Sequence, residues 1–251
     1  MNDSTLKPDA YIYHAFISAW GTTKHPEAGE IAETYLQEMW DRSTHHGEAW
    51  LKPNGRLYSA VLHCLANAGS ENAPARARTL MEDMKSRYNA GDNDMAPHLH
   101  CYNGLINVYA ASDDDRAGEK AESVLREMWT LYEQENRNSR GLNIQPDVVS
   151  YATTIKAYGR NGKADKCVAL LEEMWNHYLR TRNPKLKPNF FTYKVIRDTI
   201  DENELPNTKE LVETLRVIWG MAKKPSRTEK APELPNSEEI VLQPLSNSFD
   251  E

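Results

Sequence analysis

A few groups of side chains in this 251-residue chain have the types and spacing that could do chemistry. His98, His100 and Cys101 fall together in HLHC, and His45 and His46 are adjacent; imidazole and thiolate are transition-metal ligands. A metal needs three or four ligands converging with fixed geometry, and nothing in this spacing provides it. The expectation is therefore no metal, with His98 and His100 facing solvent. Asp113, Asp114 and Asp115 could hold a cation, but acids just ahead of a helix are equally favoured by its dipole. Trp40, Trp129, Trp175 and Trp219 could form an aromatic cage, yet their repeated placement reads as packing. There is no nucleophile motif, no glycine-rich phosphate loop and no nuclease-like module, so the chain reads as a non-enzyme without a cofactor.

Composition narrows the class. Hydrophobic residues make up 39% and charged residues 27%, a globular balance. No apolar run approaches a membrane span, and MNDSTLKPDAY carries no visible targeting signal. Three cysteines without CxxC spacing fit buried thiols in a reducing compartment. A net charge of -7 counts against a nucleic-acid binder, although only the contacting surface matters.

The elements that position these residues are repeated. Glu-Met-Trp ends an apolar helical run in YLQEMWDR, VLREMWTL and VALLEEMWNHY, with LMEDMKSR as a degenerate copy. Met39, Met84, Met128 and Met174 are spaced 45, 44 and 46 residues apart, and Ile218 in RVIWGM marks a fifth copy. Upstream of each stands a Pro with a Tyr five residues on: PDAYIY, PNGRLY, PHLHCY, PDVVSY and PNFFTY. Tyr13, Tyr58, Tyr102, Tyr151 and Tyr193 thus open five units.

Each unit reads as two helices. Apolar residues three, four and seven positions after the Tyr (Phe16, Ile17, Trp20; Val61, Leu62, Leu65; Leu105, Ile106, Tyr109) make one helical face. The Pro is expected in the first helical turn. A second helix buries Ala32, Tyr35, Leu36 and Met39, with Ala77, Leu80, Met81, Met84, then Ala121, Val124, Leu125, Met128, then Cys167, Leu170, Leu171, Met174 as equivalents. One hairpin cannot bury such stripes alone, whereas stacked hairpins can. The fold class expected is all-α, an α-solenoid of about five helix-turn-helix repeats spanning 7–222, with units at about 7–52, 53–96, 97–145, 146–187 and 188–222. Arg197 replaces Ile17, Leu62, Ile106 and Ile155, so that face should be partly exposed at the array's end. The proline-rich segment 223–251 is expected to be a disordered tail.

At PDVVSYATTIKAYGRNGKADKCVALLEEMWNHY the chain resembles the pentatricopeptide repeat family, and all five units match it in part. Tyr-to-Met spacing is 23 in the fourth unit, as in the family, but 26 in the first three. The Met-to-Pro segments are longer than the family's repeat leaves room for, which predicts one or two extra helical turns and a longer outer loop. The chain begins inside a repeat, which raises the expectation of a partial product.

The resemblance implies single-stranded RNA binding, one base per repeat. It assigns the residue after each Tyr, with the residue just ahead of the next unit's first helix, to the base edge. These are His14 with Asn54, Ser59 with His98, Asn103 with Asp147, Ala152 with Asn189, and an unpaired Lys194. Asn103 with Asp147 is the family combination associated with uracil. Tyr11, Arg56, His100, Val149 and Phe191 would flank the bases. First helices are comparatively basic, and Lys156, Arg160 and Arg197 are the candidate phosphate contacts, with second helices and turns acidic. By family resemblance alone the protein would serve organellar RNA processing, stability or translation, in a mitochondrion or plastid, with protein partners also conceivable. The alternative is a helical scaffold that takes a protein or peptide in its groove.

Overall fold

The computed structural model describes residues 8–138 and 144–203. The expected second helix of the fifth unit and the expected tail lie outside them. Within them the α-helices are α1 (Ala10–Thr23), α2 (Ala28–His45), α3 (Gly55–Ala68), α4 (Ala73–Asn89), α5 (Leu99–Ala111), α6 (Ala117–Asn138), α7 (Val148–Arg160), α8 (Ala164–Thr181) and α9 (Phe190–Asn203). Odd-numbered helices carry the unit-opening tyrosines, even-numbered ones the Glu-Met-Trp ends. The molecule is an α-solenoid.

The prolines do not sit in the first helical turn. Each lies one residue ahead of the cap, before Asp9, Asn54, His98 and Asp147 at the N-termini of α1, α3, α5 and α7. Pro53, Pro97, Pro146 and Pro188 are buried there. A residue without an N–H can enter the core without leaving a donor unsatisfied, and the next residue is then free to cap. Asp9 accepts from Ile12 N, Asn54 from Arg56 and Leu57 N, and Asp147 from Val149 and Ser150 N.

Packing follows the two stripes. Ile17, Leu62, Ile106 and Ile155 are fully buried, as are Met39, Met84, Met128 and Met174. Arg197, at the matching position of α9, is exposed. Each first helix packs on the next, α1 on α3, α3 on α5, α5 on α7 and α7 on α9, whereas no second helix packs comparably on its successor. The first helices therefore form the inner, closely stacked row. Gly104 allows one such approach, since a Cβ there would stand 3.0 Å from Leu62 Cβ.

The repeated tripeptide is explained by three separate contacts. The acid accepts a hydrogen bond from the hydroxyl of its own unit's tyrosine: Tyr13 to Glu38 at 2.6 Å, Tyr58 to Asp83 at 2.5 Å and Tyr151 to Glu173 at 2.7 Å. The methionine fills the core. The tryptophan reaches into the next unit, Trp40 Nε1 donating to Tyr58 Oη at 3.0 Å and Trp129 Nε1 to Tyr151 Oη at 2.9 Å. Where the second copy has Lys85 instead, its ammonium lies 5.4 Å from the Tyr102 ring centre and pairs with Glu127. Trp40, Lys85 and Trp129 thus each tie their unit to the next.

The extra length lies where the spacing placed it. α2 runs on from Met39 to His45, α4 from Met84 to Asn89, α6 from Met128 to Asn138 and α8 from Met174 to Thr181. Short 3-10 turns follow at Ala49–Leu51, Asn93–Met95 and Pro184–Leu186. Two residues before each proline an apolar side chain is sealed in the core: Leu51, Met95, Ile144 and Leu186. Outside, consecutive second helices are bridged by ions: Arg76 with Glu33, Lys85 with Glu127, and Arg126 with Glu173.

Candidate nucleic-acid interface

The inner row of first helices carries a groove of about 500 Å³, lined by His14 and Ser18 of α1, Arg56, Ser59, Ala60 and His63 of α3, His100, Asn103, Gly104 and Asn107 of α5, and Val149 and Thr153 of α7. A second recess of about 320 Å³ lies at its edge between α1 and α3, with Tyr11, His14, Lys52, Asn54 and Arg56 on its walls. A larger cavity, about 940 Å³, is elsewhere. It sits among the inter-helix turns, where Arg78 and Lys120 face Glu71, Asp113 and Asp114, and these opposed charges give it no preference for an anion.

The best-defined polar cluster in the groove joins α5 to the cap of α7. Asn103 Nδ2 donates to Asp147 Oδ1 at 3.2 Å, and Ser150 Oγ donates to Asn103 Oδ1 at 2.6 Å. Asp147 N donates in turn to Ser150 Oγ at 3.1 Å, completing a capping box. Ser150 is fully buried, so its hydroxyl is satisfied within this cluster. The Asn103 amide is held in one orientation and keeps a second N–H and a second carbonyl lone pair for an incoming group.

A PPR repeat model matches residues 142–175, which spans this cap, α7 and most of α8. This stretch is similar to the pentatricopeptide repeat. A chloroplastic pentatricopeptide repeat-containing protein of Arabidopsis thaliana is 29% identical over 154 residues, covering 61% of this chain and 24% of the relative. The crystal structure of the pentatricopeptide repeat protein PPR10 from maize overlaps 89% of this chain and 33% of its own, at 21% identity and a TM-score of 0.38. The chain thus spans about a quarter of that curated relative and a third of that solved chain.

The positions that the pentatricopeptide resemblance singles out do not all reach the groove. His14 and Asn54 share the smaller recess. Between Ser59 and His98 lies the thiol of Cys101, 3.4 Å from His98 Nδ1. His98 is half-buried instead of facing solvent, and burial holds its imidazole below the usual range. His100 is exposed as expected and stands edge-on to His98 at 5.7 Å. Tyr11 is 79% and Val149 48% exposed. Ala152 is a correction: it is 1% exposed, packed into the helix stack, and offers nothing to a base. Asn189 spends its carbonyl oxygen on Thr192 N at 3.1 Å, and Lys194 is exposed on α9. The Phe191 side chain lies outside the described residues.

The phosphate candidates divide. Lys156 is exposed at the α7 position equivalent to groove-lining Ser18, His63 and Asn107, five residues after the tyrosine. Arg160 is engaged: its guanidinium donates to Ala110 O at 2.8 Å and to Asp113 at 2.9 Å, clamping α7 to the end of α5. Arg197 pairs with Asp198 at 3.0 Å. Among the described residues no group of three His, Cys, Asp or Glu is placed to hold a metal, and no helix is long and apolar enough to cross a membrane. Ser18, His63, Asn107 and Thr153 were missed from sequence. For Ser18, His63 and Asn107 the signal was available, because residues one and five after the tyrosine lie one helical turn apart on one face.

Proposed function

We propose that this chain binds single-stranded RNA along its inner row of first helices, reading a base at the Asn103–Asp147 cluster and serving organellar RNA processing, stability or translation. The observation that carries the reading is the pinned amide of Asn103, supported from the next repeat by Asp147 and Ser150. A fixed donor–acceptor pair on a rigid helix is what base-edge recognition requires, and flanking side chains such as His100 and Val149 offer stacking and apolar contact. The groove wall carries His14, Arg56, His63, His100, Asn103 and Asn107 and only Ala60 and Val149 as aliphatic side chains, so large apolar anchors for a docked amphipathic peptide are few, which favours a nucleic acid over a peptide. The chloroplast named in the Arabidopsis relative's title supports an organellar setting. Selection from a randomised single-stranded RNA pool tests the reading. Enrichment of a short motif with uracil at one fixed position is the expected outcome, and a pool that is never retained overturns it.

A further inference from the structure

The residue just before each inner tyrosine lies three after the cap and is sealed at a unit boundary: Leu57, Cys101, Ser150 and Thr192 are all buried. At Ser150 a hydroxyl in this place meets an amide across the boundary, Oγ donating to Asn103 Oδ1 at 2.6 Å. Resting on the RNA reading above, we infer that Ser150 is a positioning residue and a third determinant of base choice. Its hydroxyl holds the plane of the Asn103 amide, so that the third unit discriminates sharply between bases while the units on either side discriminate weakly.

Asp147 cannot hold the amide by itself. Its Oδ1 accepts from Val149 N and Ser150 N at 3.0 Å each, which fixes the carboxylate on α7. Asn103 Nδ2 reaches that oxygen at 3.2 Å, and one bond leaves an amide free to swing about it. The Ser150 bond is shorter and grips the other end of the amide, and two bonds fix a plane. The hydroxyl proton is committed there, because its other acceptor, Asp147 Oδ1, is farther off at 3.1 Å, while Asp147 N donates to Oγ. The donor–acceptor face offered to a base is thus set by a buried side chain that never touches the base. Each other boundary lacks a piece. Leu57 brings no polar group to His14 and Asn54. Cys101 brings a thiol, a weaker donor, 3.4 Å from His98 Nδ1. Thr192 donates to Asn189 Oδ1 at 3.3 Å, but the residue after the preceding tyrosine is Ala152, with no polar side chain to hold.

The test is parallel selection from a randomised single-stranded RNA pool by the wild-type chain and by Ser150→Thr, Ser150→Cys and Ser150→Ala, with circular dichroism as the check on folding. Wild type should give one sharply biased position flanked by weaker ones. Ser150→Ala should lower the bias at that position roughly 3- to 10-fold, the contribution of one hydrogen bond, while overall affinity and its salt dependence stay. Thr192 shows that a threonine fits this place when fully buried, so Ser150→Thr should keep the bias, with Ser150→Cys between Thr and Ala. A packing role predicts the reverse order, because Ala and Cys match the volume of Ser more closely than Thr does. A bias that folded Ser150→Ala leaves intact overturns the inference. A Thr variant less selective than the Cys variant overturns it too, and that comparison decides the matter if Ser150→Ala does not fold. Several equally sharp positions in the wild-type motif would also overturn it, while leaving RNA binding in place. A pool that wild type never retains removes the RNA reading and the inference together.

Discussion

Asn103 and Asp147, 44 residues apart in sequence, meet at 3.2 Å across the boundary between two repeats, and the same Asp147 oxygen caps α7. The cap and the amide clamp are one arrangement. Replacing Asn103 by Thr leaves the cap intact, so stability should hold while base preference moves from uracil towards guanine at one position, as read by selection. Replacing Asp147 by Ala should do both, lowering stability by about 1 kcal/mol through the lost cap and relaxing that same preference. An Asn103→Thr protein with unchanged preference would leave Asp147 as a helix cap alone.

The tyrosine hydroxyls predict a difference between internal and terminal units. Tyr58 Oη accepts from Trp40 and donates to Asp83, so Tyr58→Phe leaves the buried Trp40 indole N–H without its partner, while the part-exposed Asp83 keeps Arg87. Urea unfolding should show a loss of about 1–3 kcal/mol. Tyr13→Phe, whose partners Glu38 and Arg42 remain reachable by water, should cost less.

Lys156 and Arg160 should separate on mutation. Lys156→Glu should weaken RNA without regard to sequence and lower the log–log salt slope by about 1. Arg160→Gln should instead lower unfolding stability by about 0.5–1 kcal/mol, because the bonds it breaks join α7 to the end of α5. Equal loss of RNA affinity from both would mean that the Arg160 clamp opens on binding.

Gly118 predicts a packing penalty. A Cβ there would stand 2.3 Å from the Tyr158 ring, whose hydroxyl is fixed on Glu122. Gly118→Ala should destabilise by about 1–3 kcal/mol despite its better helix propensity, and thermal unfolding would show it.

Burial pushes the thiols up, Cys64 to about 11 and Cys101 and Cys167 to about 12, from 9.0. Burial likewise raises the phenols of Tyr58, Tyr102 and Tyr151. For groups whose folded value is raised, the stabilisation is complete below the unfolded value and is lost as pH climbs towards the folded one. Stability should therefore fall between pH 9.0 and about 12, and thiol reagents at milder pH should label the protein only at its unfolding rate.

The repeat was legible because Tyr, Met and Pro each hold a fixed place in a local helix register, and local register survives in sequence. What sequence could not supply was the stacking of one unit on another. Arg160 looks like a free cation until α5 brings Ala110 and Asp113 beneath it. Ala152 looks like any residue after a tyrosine until the neighbouring helices bury it. The proline was misplaced by two residues because its fixed φ suits both a first turn and an extended approach. Burial beside a capping residue, which decided between them, is a tertiary fact.

The two sides of the array are tied by different forces. The inner row is a buried seam of Ile and Leu, insensitive to electrolytes, whereas the outer row is laced by Arg76–Glu33, Lys85–Glu127 and Arg126–Glu173. Mobile ions screen the second kind of tie and not the first. Mechanically the protein is pinned by packing along one edge and braced by charge along the other, so raised ionic strength should loosen the outer row before the inner one.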